Sequence, residues 1–149
     1  MSPTKPIDEA LEEAVTETFS EMAFLDAIPA KKPESNPSGQ LFSIDVQGEQ
    51  THRLVLDLPL PIKQTIVENI HGCSWDELSS SDIDDCLLEF LNVLAGAFGR
   101  LYWGDESRYK LSFPQVSVGP PREPDAARLD SFWFDAYDRL FAIHITREG

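Results

Sequence analysis

Cysteine is scarce. Only Cys73 and Cys86 occur in 149 residues. Two thiols do not make the staple network of a small secreted domain. The opening MSPTKPIDEALEEA also lacks the charged-then-apolar order of an export signal. Both cysteines therefore read as reduced and structural. Basic residues are few, 12 against 26 acidic ones, and the net charge is -14. Such a surface repels phosphate backbones and anionic lipid heads, so neither a nucleic-acid nor a membrane partner is expected. The same repulsion opposes a phosphorylated partner at long range. Any such partner must be held by local shape and by its own positive groups. A long apolar run is missing as well: Cys86 to Trp103 is interrupted by Glu89, Asn92 and Arg100, too polar for a membrane span. A cytoplasmic location follows by elimination. There is no G-x-S-x-G, no catalytic Cys–His spacing and no phosphate-binding glycine loop. His52, His71 and His144 show no ligand spacing with the cysteines, so no metal site is expected.

What is present suits one domain, residues 1–149. Hydrophobic residues are 42% and charged residues 26%, and a chain of this length buries roughly 70% of its unfolded surface. The first six or so residues, 30–40 and 119–128 are expected to be flexible, from composition and position. Leu11, Val15, Phe19, Met22 and either Leu25 or Phe24 recur at helical steps and predict a helix over Ile7–Ile28, stopped by Pro29. Residues 41–47 and 52–58 alternate as a hairpin. Pro61 opens a short helix through His71. Ser79 to Asp82 offers N-caps for the longest helix, about Asp82 to Trp103. Lys110 to Gly119 reads as a strand, demoted by Pro114 to an edge or a bulge. Residues 130–135 and 139–146 form a second hairpin. The predicted fold is α+β, with long helices on a mainly antiparallel sheet.

The long helix has two faces. Leu87, Phe90, Leu91, Leu94, Phe98 and Leu101 make the core stripe at 100° per residue. Glu89, Asn92, Gly96, Gly99 and Trp103 make another. Each glycine costs a helix about 0.8–1.0 kcal/mol relative to alanine, so a close approach is expected there. The bland occupant is another helix of the same domain or subunit. The sharper one is a partner reaching Glu89 and Asn92, which are neighbours at i and i+3. On spacing alone E-x-x-N is weak, and a solvated acid beside a surface amide explains it equally. The acidic cluster Asp82, Asp84 and Asp85 reads as charge at a helix N-terminus rather than a metal set.

The residues around the pair carry more. Asp85, Glu89, Asn92, Ala95 and Gly96 stand at the positions of the D-x-x-x-E-x-x-N-x-x-A-G helix, which resembles that of CheX-type chemotaxis phosphatases. The stretch Leu111-Ser112-Phe113-Pro114-Gln115-Val116-Ser117-Val118-Gly119 resembles their apolar-S-x-P-x-V-x-x-G strand. Thr18 to Met22 resembles their opening helix. Two departures stand out. Ala97 occupies a place where the family often has asparagine. The related two-site phosphatases, of the CheC and FliY kind, have a second E-x-x-N on the first helix, where this chain has Glu17 and Ser20.

The resemblance implies one site per chain. Its substrate would be a phosphorylated CheY-like receiver domain. Glu89 would anchor the partner's lysine, Asn92 would orient the attacking water, and Asp85 and Gly96 would touch the partner. It implies no cofactor of the chain's own, Mg2+ being supplied by the receiver, and it implies a homodimer. Two rivals stay open: a catalytically silent module that binds a receiver, and a dimerisation domain with no receiver partner. Timed phosphate release separates the first from an enzyme, and a pull-down separates the second.

Overall fold

The computed structural model describes residues 3–35, 39–104, 108–117 and 129–148. In chain order these form α1 (Ile7–Ala23), β1 (Ala27–Ala30), β2 (Gln40–Gln47), β3 (Thr51–Leu58), α2 (Leu60–His71), a short 3-10 turn (Trp75–Glu77), α3 (Ser80–Trp103), β4 (Lys110–Leu111), β5 (Gln115–Ser117), β6 (Leu129–Ala136) and β7 (Arg139–Glu148). The fold is α+β, as the sequence predicts. One seven-stranded sheet runs β1-β6-β7-β3-β2, and β4 and β5 both pair with the free side of β2. Every pairing is antiparallel.

One prediction is corrected. The first helix stops at Ala23 rather than Ile28. Phe24 takes a left-handed conformation, φ 55°, and the Leu25 N–H reaches back to the Phe19 carbonyl at 3.1 Å. A left-handed residue thus ends the helix without glycine. The Asn69 side chain also donates to the Ala23 carbonyl at 2.8 Å. The freed residues form β1, paired with β6 from Ala27 opposite Ala136 to Ala30 opposite Trp133. Pro29 is tolerated because β1 is an edge strand. Leu25 extends the helical pattern past the true end, and the pairing of residues 27–30 with β6 decides otherwise.

Alternate residues of the strands make the helix-covered face: Phe42, Ile44 and Val46; Leu54, Leu56 and Leu58; Phe141, Ile143 and Ile145. Leu41, Val55, Trp133 and Ala142 are also buried but lie on the opposite face. α1 and α3 pack on each other through aromatic contacts. Phe19 meets Phe90 edge-on at 4.9 Å and stacks on Phe141 at 4.7 Å. Such pairs contribute about 0.5–1.5 kcal/mol beyond area burial.

α3 begins in a capping box. Asp82 N–H donates to Ser79 Oγ at 3.1 Å, and Ser79 N–H donates to the Asp82 carboxylate at 3.3 Å. Beyond α3 the predicted strand is split. Leu111 lies opposite Val46 and Gln115 opposite Ser43, so the edge carries one residue more than β2 between those pairs. This is a bulge at Ser112-Phe113-Pro114, where proline needs no ladder donor. The Ser112 N–H donates to the Asp45 carbonyl at 3.0 Å, and the Asp45 N–H to Ser112 Oγ at 2.8 Å. Thr4 is tied to the end of α3, its N–H donating to the Tyr102 carbonyl at 2.7 Å. Residues 36–38 and 118–128 lie outside the described residues, and with them Val118 and all of the predicted loop 119–128.

Candidate functional site

Asp85, Glu89, Asn92 and Gly96 follow one another at steps of four, three and four along α3. At 100° per residue they fall within an arc of about 60°. Asp85 and Glu89 are exposed, while Asn92 and Gly96 are half-buried. Neither the Asn92 carboxamide nor the Glu89 carboxylate makes a hydrogen bond or ion pair among the described residues. The amide is thus held by its helix with its donor and acceptor uncommitted. The core face packs as predicted, with Leu87, Phe90, Leu91, Leu94 and Phe98 buried and Leu101 half-buried.

The three neighbouring acids have separate tasks. Asp82 closes the capping box. Asp84 lies on the α2 side of α3, where its charge acts on the half-buried Lys63. Burial lowers the Lys63 pKa, and Asp84 opposes that shift. Asp85 shares the face of Glu89 and Asn92, and Asp84 does not.

The upper part of the glycine stripe is occupied from within the chain. Tyr109 donates its hydroxyl to the Gly96 carbonyl at 2.9 Å, and its ring edge lies where a Cβ on Gly99 would come within 2.6 Å. Trp103 stacks near the same ring at 6.0 Å and is buried. Gly99 and Trp103 therefore belong to internal packing. Gly96 stays more open, since a Cβ there meets only Leu111 Cδ1, at 4.0 Å. The close approach expected from the glycines is real at Gly99, and the approaching group is a tyrosine of this chain.

Both departures from the family pattern have a location. Ala97 is buried against the core, about 120° from the Asn92–Gly96 line, so its side chain does not point onto the site face. Glu17 is not a free acid: its two carboxylate oxygens accept from one Arg100 nitrogen at 3.0 and 2.9 Å, joining α1 to α3. Arg100, with Arg108, Lys110 and Tyr109, also borders an open hollow of about 660 Å³ at the far end of α3.

Two histidines have roles that spacing does not reveal. His52 is buried among Phe98, Tyr102 and Trp103. Burial first, and the Arg147 guanidinium second, hold its pKa below the ordinary imidazole range, against a contrary pull from the Gln50 backbone. Neither ring nitrogen makes a hydrogen bond of ordinary geometry. On the opposite sheet face, His144 Nδ1 and Ser131 Oγ share a hydrogen bond at 2.8 Å, and Asp57 Oδ2 stands 3.8 Å from His144 Nε2. Sequence motifs for nucleophilic catalysis miss this trio because it spans three strands. The carboxylate is too far away to orient the imidazole by a hydrogen bond, and its other oxygen accepts from the Gly39 N–H at 2.8 Å. These contacts tie strands together. Cys86 is buried and burial raises its pKa, which leaves the thiol inert. Among the described residues no group of three metal-ligating side chains assembles, and no helix is long and apolar enough to cross a membrane.

Compared with known proteins, the chain has the fold of CheX- and CheC-like chemotaxis proteins. The crystal structure of chemotaxis protein CheX from Vibrio vulnificus superposes with a TM-score of 0.76 at 17% identity, covering 95% of this chain and 99% of that one. CheX from Desulfovibrio desulfuricans gives 0.74 at 15%, covering 95% and 99%. A chain of the CheX–CheY–BeF3–Mg2+ complex from Borrelia burgdorferi gives 0.67 at 10%, covering 97% and 99%. No family model matches the sequence, and no curated protein matches it.

Proposed function

We propose that this protein hydrolyses the aspartyl phosphate of a CheY-like receiver domain. The observation that carries the reading is the uncommitted Asn92 carboxamide beside the exposed Glu89, on an otherwise well-packed helix. The fold it shares with CheX, and the existence of a CheX–CheY–BeF3–Mg2+ complex among its structural neighbours, support the choice of partner.

Hydrolysis of an acyl phosphate needs a water placed in line with the scissile P–O bond, and most of the catalysis is positioning and charge stabilisation. An amide oxygen accepts from such a water and an amide nitrogen donates, but an amide is no base at neutral pH. Asn92 therefore orients the nucleophile and takes no proton. Glu89, one turn away, pairs with a lysine of the partner and fixes the approach. This resolves the charge problem of a chain with net charge -14: recognition reads a cation beside the phosphate and not the phosphate itself. Asp85 extends the same acidic face, and Gly96 keeps it low. Mg2+ would come with the receiver and screen the phosphoryl charge. The same reading carries a homodimer, which sedimentation equilibrium checks.

The test is phosphate release from a panel of phosphorylated receiver domains of the host. Accelerated release from at least one supports the proposal. Tight binding without acceleration leaves the silent receiver-binding module, and neither binding nor release removes the receiver as partner.

A further inference from the structure

Cations are scarce in this chain, 12 against 26 acids. Several are engaged in ion pairs: Lys5 with Glu13, Arg53 with Asp45, Arg147 with Asp130. Against that background three of them border a single hollow. Arg100, Arg108 and Lys110, with Gly48, Tyr109 and Leu111, surround about 660 Å³ at the far end of α3. No acidic side chain is among the lining residues. The Arg108 and Lys110 side chains are exposed and make no hydrogen bond or ion pair among the described residues. Like charges grouped in this way repel one another and lower stability unless an anion joins them.

The group is held in place by the fold. Arg100 stands in the last turn of α3, where Glu17 accepts from one of its nitrogens at 3.0 and 2.9 Å; its other donors are uncommitted among the described residues. Lys110 opens β4 and lies in register with Gln47 of β2. Between Arg108 and Lys110, Tyr109 is fixed by its hydrogen bond to the Gly96 carbonyl. Two effects oppose an anion here, and both are smaller. The C-terminus of α3 carries about half a negative charge, against three full positive ones of which Glu17 offsets one. The net charge of -14 belongs to the whole surface, and salt screens it beyond roughly 8 Å under physiological conditions. Within that reach the hollow's own cations set the sign.

We propose that this hollow binds a small anion of at least two charges, a phosphate compound or a polycarboxylate. Guanidinium groups meet phosphate and carboxylate oxygens with paired donors, and an ammonium adds a point charge. Tyr109 and Leu111 are half-buried and offer an apolar side to the rest of such a molecule. The volume falls within the roughly 300–1,000 Å³ of small-molecule sites. A concave site of that size favours a small ligand over the broad face of a folded partner. Glu89 and Asn92 do not border the hollow, so the site is separate from the receiver-docking face and stands whether or not that reading does.

The test titrates the full chain with pyrophosphate and, separately, with citrate at constant physiological ionic strength, followed by calorimetry and by 1H–15N spectra. Saturable binding is expected, with shifts at Gly48, Lys110 and Leu111 and a raised melting temperature. Tighter pyrophosphate binding assigns a phosphate compound and tighter citrate binding a polycarboxylate; either supports the site. Arg108→Gln and Lys110→Gln are each expected to weaken binding about 10-fold. Their melting curves should match wild type, since neither side chain loses a partner among the described residues. The double variant Lys31→Gln/Lys32→Gln removes two exposed cations that follow β1, at the opposite edge of the sheet, and should bind as the parent does. Equal weakening in that control, or binding indifferent to Arg108→Gln and Lys110→Gln, means an adventitious ion only and overturns the proposal. No saturable binding by the parent overturns it as well, and leaves the sequence neighbours Asp105 and Glu106, which lie outside the described residues, as the counter-charges of these cations.

Discussion

The Tyr109 hydroxyl donates to the Gly96 carbonyl on the side of α3 that faces the β4 edge, at 2.9 Å. This single bond divides the glycine-bearing stripe of the helix. Towards the C-terminus the stripe is sealed by Tyr109 and Trp103. Towards the N-terminus it is open, and there stand Asn92 and Glu89.

The two glycines should answer differently to the same substitution. Gly99→Ala drives a methyl into the Tyr109 ring, which is tied at its hydroxyl and backed by Trp103. Overpacking costs about 1–3 kcal/mol, only partly offset by the gain of about 1 kcal/mol from helix propensity. A net loss of stability in urea unfolding is expected. Gly96→Ala meets nothing closer than 4.0 Å and should stabilise by about 0.5–1 kcal/mol. If Gly96 is part of the docking face, the same variant should bind a receiver more weakly than wild type.

Within the candidate site the two polar residues should separate binding from chemistry. Asn92→Ala is expected to slow dephosphorylation at least about 100-fold, roughly 3 kcal/mol at the transition state. Glu89→Ala should weaken receiver binding more than Asn92→Ala does. Single-turnover rates and a titration measure the two effects. A wild-type rate in Asn92→Ala removes that residue from the mechanism.

His52 makes stability depend on pH. Its folded pKa lies below the ordinary value of 6.5, from burial first and Arg147 second. The unfolded chain therefore takes up a proton first as pH falls, and stability is lost below about 6.5. His52→Leu should show a shallower loss between pH 7.5 and pH 5 than wild type, in the midpoint of urea unfolding. Parallel pH profiles would show that His52 contributes nothing to the slope.

The β6–β7 turn offers a gain. Tyr137 and Asp138 both have positive φ, 56° and 59°, which a two-residue hairpin turn of this hand requires and L side chains resist. Replacing them by Asn-Gly should raise stability by roughly 1–2 kcal/mol. Tyr137 is exposed, so little packing is lost. A lower melting temperature in the double variant would contradict the argument.

Local physics determines most of the fold. Alternation places β2, β3, β6 and β7, because a half-buried strand must repeat every two residues. The core stripe and the caps place α3, because a helix end needs partners for its free N–H groups. Pro114 announces the break in the edge strand, because it has no donor for a ladder. The likeness of residues 85–96 to a known helix points to Glu89 and Asn92.

What the chain could not declare by itself involves partners distant in sequence. The end of α1 depends on β6, about a hundred residues away, which claims Ala27–Ala30 and forces Phe24 into a left-handed turn. The fate of the glycines depends on Tyr109, whose ring fills Gly99 and spares Gly96. The Arg100–Glu17 pair and the Ser131–His144 bond cross elements that only packing brings together. Periodicity records which side of an element is apolar; which neighbour covers that side is decided by the whole chain folding at once, since the gain is shared among residues that no local window contains.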